Sequence, residues 1–384
     1  MSVSGVFKRP ILRLRKGTCL YPYEGFKANL GPYRGPSRLK LGALVPKELE
    51  FRARRLLRNL VFGVKGYGGL AKWFDCWVEW PPKLIVGDYF SFPSLVKEFH
   101  GVDVVLVFIP DEHYYGYEED PYIPVKQSFA LEGIPSQMVT TSTLKRLADK
   151  SYVLFNLALS VYSKAGGVPW ILAEPLYADV YIGIDTVSTG VAVTILSSND
   201  GMYFNWYTGL NPDVEVIRTL GEVLKSALSS SEYLIEGVER VVIHRDGRCF
   251  EEEVEAVKDV IGWGIIKGIF NSDVEWSLME IRKRIVPRVI GRRFNRFVNP
   301  EKGVFYALGP HEYLVVTVGF PEHPYITQSG LVRPIIVELV EASTWEVDMR
   351  KLVRDVYWLS ELHWASAFSS VSYTHLTLPT TERV

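Results

Sequence analysis

Two aspartates stand where a β-strand should end. Tyr181-Ile182-Gly183-Ile184-Asp185 is an apolar run closing on a carboxylate, and Val241-Val242-Ile243-His244-Arg245-Asp246-Gly247 repeats that shape. A carboxylate at the end of a buried strand is costly unless it is hydrogen-bonded or bound to metal. Two of them aimed at one point could hold Mg²⁺ or Mn²⁺ through oxygen. Such ions can activate a water and stabilise the leaving oxygen of a phosphodiester. Each aspartate alone also reads as a turn or cap residue, since Asp-Gly is a common turn dipeptide.

A second group suits an anion. Asp120-Pro121 reads as a helix start, with proline where the first amides have no intrahelical partner. Tyr122 and Lys126 then share one helical face. A ring beside an ammonium suits a terminal nucleotide, the ring stacking on a base and the lysine meeting the phosphate. Gln137 follows a Gly-Ile-Pro-Ser turn and can donate through its amide, and Lys164 lies in the last turn of the next helix. Singly, each has a plainer reading: Tyr122 as packing, Lys126 as a partner of the acids Glu118 to Asp120, Lys164 as a complement to a helix dipole. A third feature is the run from Arg282 to Arg296, with seven basic residues (Arg282, Lys283, Arg284, Arg288, Arg292, Arg293 and Arg296) and no acid. It could follow a phosphate backbone, or be a solvated helix face balanced by Glu275 and Glu280.

These residues sit in a chain of 384 residues, 47% hydrophobic and 23% charged, which suggests two or three globular domains. The net charge of −1 means that any nucleic-acid partner is held by local patches. The three cysteines, Cys19, Cys76 and Cys249, fit no metal-ligand spacing, and a reducing cytoplasm is expected. The basic N-terminus lacks the apolar core of a signal peptide, and no apolar run is long enough to span a bilayer, so no membrane partner is expected.

The elements that must position these groups alternate between α and β. Residues 1–37, rich in Gly, Pro and Arg, read as an extended arm. Strands are expected at Leu39 to Val45 and Val102 to Pro110, the latter a valine-rich run suited to burial on both faces. Helices are expected at Glu48 to Leu60 and Asp149 to Lys164, the second ended by Gly166-Gly167 and Pro169. After a linker near Pro169 to Pro175, Tyr181 to Asp185 and Gly190 to Leu196 form a hairpin, with Tyr203 to Tyr207 a third strand. Pro212 to Leu228 has a helical apolar stripe at Ile217, Leu220, Leu224 and Leu228. A strand (Arg240 to His244) and a helix (Phe250 to Ile261) follow. Further strands are expected at Val304 to Leu308, Glu312 to Val318 and Arg333 to Leu339, with a last helix at Met349 to Leu362. Three clustered strands, then helix, strand, helix, is the order of a ribonuclease-H-like fold.

In combination these motifs resemble the Argonaute family. Tyr122, Lys126, Gln137 and Lys164, with Ile134-Pro135-Ser136-Gln137 and Ser163-Lys164-x-Gly166-Gly167-x-Pro169-Trp170, are similar to the 5′-phosphate pocket of the MID domain. There a tyrosine stacks on the first guide base, and two lysines and a glutamine hold the phosphate. Ile182-Gly183-Ile184-Asp185 and Arg245-Asp246-Gly247 resemble the first and third catalytic positions of the PIWI domain. The family's second position is a glutamate from the region between them: Glu215 is the first candidate and Glu222 the second, and both also fit an ion-pair stripe with Arg218. Arg293-Phe294, Asn299-Pro300-x-x-Gly303, Glu312-Tyr313-Leu314, Arg333-Pro334-Ile335 and Tyr357-Trp358-Leu359-Ser360 resemble further PIWI landmarks.

The resemblance implies an α/β protein with a Rossmann-like MID domain (38–170) and a ribonuclease-H-like PIWI domain (171–384). It implies a 5′-phosphorylated guide paired with a DNA or RNA target, and Asp185, Glu215 and Asp246 as a Mg²⁺- or Mn²⁺-dependent nuclease site. PAZ and N domains are expected to be absent, and the family leaves room for a separately encoded partner protein. The rival reading is a nuclease-inactive binding module. A third is an unrelated α/β protein with no affinity for 5′-phosphorylated strands.

The C-terminus departs from the family pattern. In register with Leu378-Pro379, Arg383 would occupy the fourth-ligand position, and His375 precedes the proline. Tyr373 to Val384 resembles non-coding or adapter-derived sequence. Residues 370–384 are therefore expected to be non-native or truncated and loosely packed, and the chain to bind guides better than it cuts.

Overall fold

The computed structural model describes residues 4–111, 120–147, 149–187, 190–210, 216–231, 237–284, 286–322, 330–344 and 346–364. The chain divides into two compact units, one built mainly from Leu12–Ile171 and the other from residues 1–11 with Leu172–His363.

The first unit is a four-stranded parallel sheet. Its strands are β1 (Leu41–Pro46), β2 (Lys83–Gly87), β3 (Val104–Ile109) and β4 (Ser136–Thr140), in the order β2-β1-β3-β4. Every residue of β1, β3 and β4 is buried, which is why β1 and β3 read as continuous apolar runs rather than alternating ones. Helix α1 (Glu50–Phe62) follows β1, α2 (Tyr122–Leu131) links β3 to β4, and α3 (Ser151–Lys164) follows β4. Such βαβ links are what a parallel sheet requires.

Most of the N-terminal segment is not an extended arm. Leu12–Leu14 and Gly17–Cys19 form a hairpin, Pro22–Lys27 is a helix, and Leu12 and Phe26 are fully buried. The amides of Tyr33 and Arg34 donate to the carbonyls of Pro169 (2.9 Å) and Val168 (3.0 Å). Gly, Pro and Arg hide this order because the strands are three residues long, too short to carry a period.

The second unit is a nine-stranded sheet. Its strands are β5 (Val180–Val187), β6 (Gly190–Leu196), β7 (Phe204–Leu210), β8 (Val238–Asp246), β9 (Phe270–Arg282), β10 (Val304–Ala307), β11 (Glu312–Val315) and β12 (Ile335–Ala342), completed by Ser4–Val6. The order is Ser4–Val6, β10, β11, β12, β9, β8, β5, β6, β7. β5, β6 and β7 are antiparallel, whereas β5 runs parallel to β8 and β8 to β9. Three antiparallel strands followed by two parallel ones is the ribonuclease-H-like arrangement expected from the sequence. Helices α4 (Val216–Ser230) and α5 (Glu251–Ile266) follow β7 and β8, and α6 (Met349–Ser360) follows β12. Leu220, Leu224 and Leu228 of α4 pack with Ile184, Val193 and Val241 in one core cluster. β9, like β2 and β4 of the first unit, is not among the strands expected from the sequence. Asp273, Glu275, Glu280 and Arg282 interrupt its apolar pattern, yet it lies between β8 and β12 near the middle of the sheet.

Candidate nucleic-acid and metal sites

The anion site assembles at the start of β4. Asp120 accepts a hydrogen bond from the Tyr122 amide (3.0 Å) and so tethers the first turn of α2. One turn on, Lys126 Nζ donates to the Ser136 carbonyl (3.1 Å) and approaches Ser136 Oγ (3.2 Å). Lys164, the last residue of α3, donates to the same carbonyl (2.8 Å) and to Gln137 Oε1 (2.7 Å). The Gln137 amide nitrogen donates to the Met138 carbonyl (3.0 Å), and the side chain is buried. A Cβ on Gly167 would lie 2.3 Å from the Tyr162 ring, so only glycine permits this close return of the chain after α3.

Two ammonium groups thus converge on one carbonyl, within a Debye length of about 8 Å of each other. Burial holds the Lys126 pKa below the usual lysine value. A multivalent anion would relieve both costs. Three of the four expected residues meet here, joined by the carbonyl of Ser136, which lies within the Ile134-Pro135-Ser136-Gln137 motif but carries no sequence signal of its own. Tyr122 behaves differently. It is 4% exposed and packs with Phe92, Phe99 and Val125, so its ring belongs to the core rather than to a base-stacking surface.

The carboxylate site lies at the ends of β5 and β8. Ile184 pairs with Arg245, which sets Asp185 level with Asp246 on the neighbouring parallel strand, both on one face. Gly247, at φ +93°, turns the chain out of β8, and its amide donates to the Ile281 carbonyl (2.9 Å). Asp246 is thus a strand-end carboxylate, and Gly247 continues into an isolated bridge with Ile281 instead of the β-turn that the dipeptide suggests. Burial, then the charge of Asp246, raise the Asp185 pKa above the usual carboxylate value, against opposing pulls from Arg245 and Lys283. The site favours added positive charge, and two hard carboxylates in register fit a divalent cation.

Lys283 Nζ already lies 2.8 Å from Asp246 Oδ2. On the opposite face, buried Arg245 binds Glu253 of α5 (Nε to Oε1, 3.0 Å) and also donates to Thr186 Oγ1. Glu253 Oε2 accepts from the Phe250 amide (3.0 Å), so this carboxylate joins the first turn of α5 to the end of β8. Nothing local in the sequence marks Lys283 or Glu253 for these roles. Glu215 lies outside the described residues, as do His375 and Arg383, and Glu222 is exposed on α4. Among the described residues no group of three or more His, Cys, Asp or Glu side chains is placed to hold a metal ion.

The basic stretch is neither one helix nor one surface. Arg282 ends β9 and pairs with Glu338 (2.6 Å) and Glu312, with Glu280 at 3.7 Å. It is therefore committed to carboxylates rather than to a phosphate backbone, and Lys283 is committed to Asp246. Arg284, Arg288, Arg292, Arg293 and Arg296 are exposed. The last three belong to a hairpin of Gly291–Arg293 and Arg296–Val298.

This fold and this pair of sites define an α/β protein of the MID–PIWI, ribonuclease-H-like class. The sequence profile of the Piwi domain matches residues 104–381, and the chain belongs to that family. It is 29% identical over 302 residues to the protein argonaute of Aquifex aeolicus, covering 71% of this chain and 38% of that protein. It is 24% identical over 289 residues to the Piwi protein of Archaeoglobus fulgidus, covering 69% of this chain and 64% of that one. Among solved structures, Clostridium butyricum Argonaute bound to a guide DNA and a 19-mer target DNA superposes with a TM-score of 0.73 at 23% identity, over 96% of this chain and 50% of that one. Aquifex aeolicus Argonaute with externally bound siRNA gives 0.70 at 22% identity, over 99% and 54%. The chain thus spans less than two thirds of the length of these relatives. Among the described residues no helix is long and apolar enough to cross a membrane.

Proposed function

We propose that this chain is a guide-binding Argonaute that holds a 5′-phosphorylated strand and pairs it with target nucleic acid. The observation that carries the reading is the convergence of Lys126 and Lys164 on Ser136 beside the buried amide of Gln137. Donors of this kind suit a terminal phosphate: two point charges and an amide, fixed by a helix end and a strand start. The unit Leu12–Ile171 then serves as the MID domain, and the ribonuclease-H-like unit as the PIWI domain. Exposed Arg284, Arg288, Arg292, Arg293 and Arg296 contact nucleic-acid backbone, and Tyr122 supports the pocket from within the core. The three free cysteines agree with a reducing compartment such as the cytoplasm.

Target cleavage is the further step of this reading. Asp185 and Asp246 would hold Mg²⁺ or Mn²⁺, with Glu215 as the third carboxylate. Bound there, the ions supply an activated water and charge for the leaving oxygen. Arg245 and Glu253 keep the end of β8 fixed, and Lys283 covers the Asp246 charge until the site is filled. A second reading, a nuclease-inactive module acting through a partner protein, draws on the Lys283–Asp246 ion pair, which already neutralises one of the two carboxylates.

The test is incubation of the chain with 5′-phosphorylated DNA and RNA guides and labelled complementary targets of both kinds, with Mn²⁺ or Mg²⁺. Guide-dependent cuts that disappear in chelator and in Asp185→Ala or Asp246→Ala support the nuclease. Phosphate-dependent binding without cuts supports the binding module. No preference for a 5′ phosphate overturns both.

A further inference from the structure

The hairpin of Gly291–Arg293 and Arg296–Val298 has an unusual tip. Arg293 pairs with Arg296, so the loop is the two residues Phe294 and Asn295. Two-residue hairpin loops need positive φ and are usually filled by Gly, Asn or Asp. Here Phe294 takes that conformation, at φ +53°. For a bulky side chain this is strained, and glycine would sit there at no such cost. Phe294 is also 96% exposed, and Phe297 is 74% exposed. The chain thus bears both backbone strain and two exposed rings at one small projection.

The root of the hairpin is firm. Asn299 is buried, its amide nitrogen donates to the Gly330 carbonyl (3.1 Å), and its oxygen accepts from the Val332 amide (3.1 Å). Arg293 lies over the Phe320 ring at 4.1 Å. Cross-strand partners share a face, so Arg293 and Arg296 lie on the side that reaches Phe320, while Arg292 and Phe297 lie on the other. That second face presents a guanidinium beside a ring, with Phe294 at its end. From Lys283 to Pro300 the sequence contains no acidic residue. The surface is complementary to an anion that also offers flat apolar faces, which describes nucleic acid with accessible bases.

We propose that this hairpin is a base-stacking wedge: Phe294 and Phe297 stack on an unpaired base or on the end of the bound duplex, while Arg292, on the face of Phe297, contacts the adjoining phosphate. The proposal rests on the nucleic-acid reading above and adds to it a contact with the bases themselves. Rings and guanidinia leave different signatures. Loss of a phosphate contact lowers the slope of log affinity against log salt by about one, whereas loss of stacking leaves it unchanged.

The experiment measures equilibrium binding of a 5′-phosphorylated guide with its complementary target by the full chain and by Phe294→Ala/Phe297→Ala, Arg292→Ala and Phe294→Gly, across a salt series. The double phenylalanine variant should bind roughly 5- to 150-fold more weakly for each ring that stacks, with an unchanged salt slope. Arg292→Ala should lower the slope. Phe294→Gly should raise the melting temperature by relieving the turn while weakening binding, a pairing of signs that a misfolded variant cannot give. Oligonucleotides carrying 5-iodouracil should photo-crosslink to Phe294 or Phe297. Wild-type affinity in the double variant with no crosslink to either ring would overturn the wedge, assigning the face to another partner such as an acidic protein. If the unaltered chain shows no preference for a 5′ phosphate, the functional reading itself fails, and the wedge fails with it.

Discussion

Replacing Lys126 or Lys164 by methionine removes one ammonium and keeps most of the volume of the side chain. In the free protein the Ser136 carbonyl accepts from both lysines, so either single variant leaves it one donor and the local fold intact. The loss should therefore appear on binding and not on stability. A hydrogen bond to a charged group contributes about 1.5–3 kcal/mol, which corresponds to roughly 10- to 150-fold in affinity for a 5′-phosphorylated strand. A 5′-hydroxyl strand should lose less than about threefold, the size of a weak, screened charge contact. The pH dependence gives a second reading. Affinity should rise as the terminal phosphate takes its second charge near pH 6. It should fall again at alkaline pH as Lys126 deprotonates, earlier than an ordinary lysine would, because burial lowers its pKa. Lys126→Met should shift that alkaline limb upward. Fluorescence anisotropy with matched 5′-phosphate and 5′-hydroxyl strands reads all of these quantities. Equal losses for both strands in both variants would refute the phosphate assignment.

Three other outcomes follow from the charges of the ribonuclease-H-like unit. Asp185 has a raised pKa, so the folded state keeps a proton that the unfolded chain releases near pH 3.9, and stability falls as pH rises from there through the folded value. Asp185→Asn should then raise the melting temperature at neutral pH, whereas Asp246→Asn, which breaks the Lys283 pair, should not; a lower melting temperature for Asp185→Asn would contradict the coupling. Arg282→Ala leaves Glu280, Glu312 and Glu338 facing one another, and should destabilise the fold by about 1–3 kcal/mol in urea titration while guide affinity is retained in the folded protein. Burial lowers the His244 pKa to about 3 and the His363 pKa to about 4, so stability is lost as pH falls below the unfolded value of about 6.5. The slope should approach roughly 1.4 kcal/mol per pH unit for each histidine between pH 6 and 4, and His244→Phe should flatten it.

What the sequence made legible is what is local. Val104–Ile109 announced a strand buried on both faces, and Ile182 to Asp185 with Gly190 to Leu196 announced a hairpin, because each pattern is complete within a few residues. Lys164 and the glycines behind it marked the end of α3 for the same reason. What stayed hidden depends on neighbours set by strand order. The partners of Arg282 come from β11 and β12, and no spacing within the basic run encodes that these strands lie beside β9. A run of like charges looked like one surface; the fold divides it between a strand end facing carboxylates and a projecting hairpin. Tyr122 failed in the opposite sense. Its spacing to Lys126 suggested a shared outer face, but the tyrosine is core and the lysine only half-buried, since α2 has apolar neighbours on more than one side.

The end of β8 explains why the two carboxylates can face each other at all. Successive residues of a strand point to opposite faces. Arg245 is drawn toward α5 by Glu253 and Thr186, which fixes the rotation of the strand and leaves Asp246 on the face of Asp185. Repulsion between the two is then relieved from the third strand of the set, where Lys283 follows β9 and reaches Asp246. The same ammonium is chemically suited to a phosphate oxygen. A nucleic-acid strand that drew Lys283 away would expose the Asp246 charge just as it arrived, and the pair would then need a cation more than before. The arginine and lysine that flank these aspartates thus do separate work: one aims the carboxylate, and the other offsets its charge.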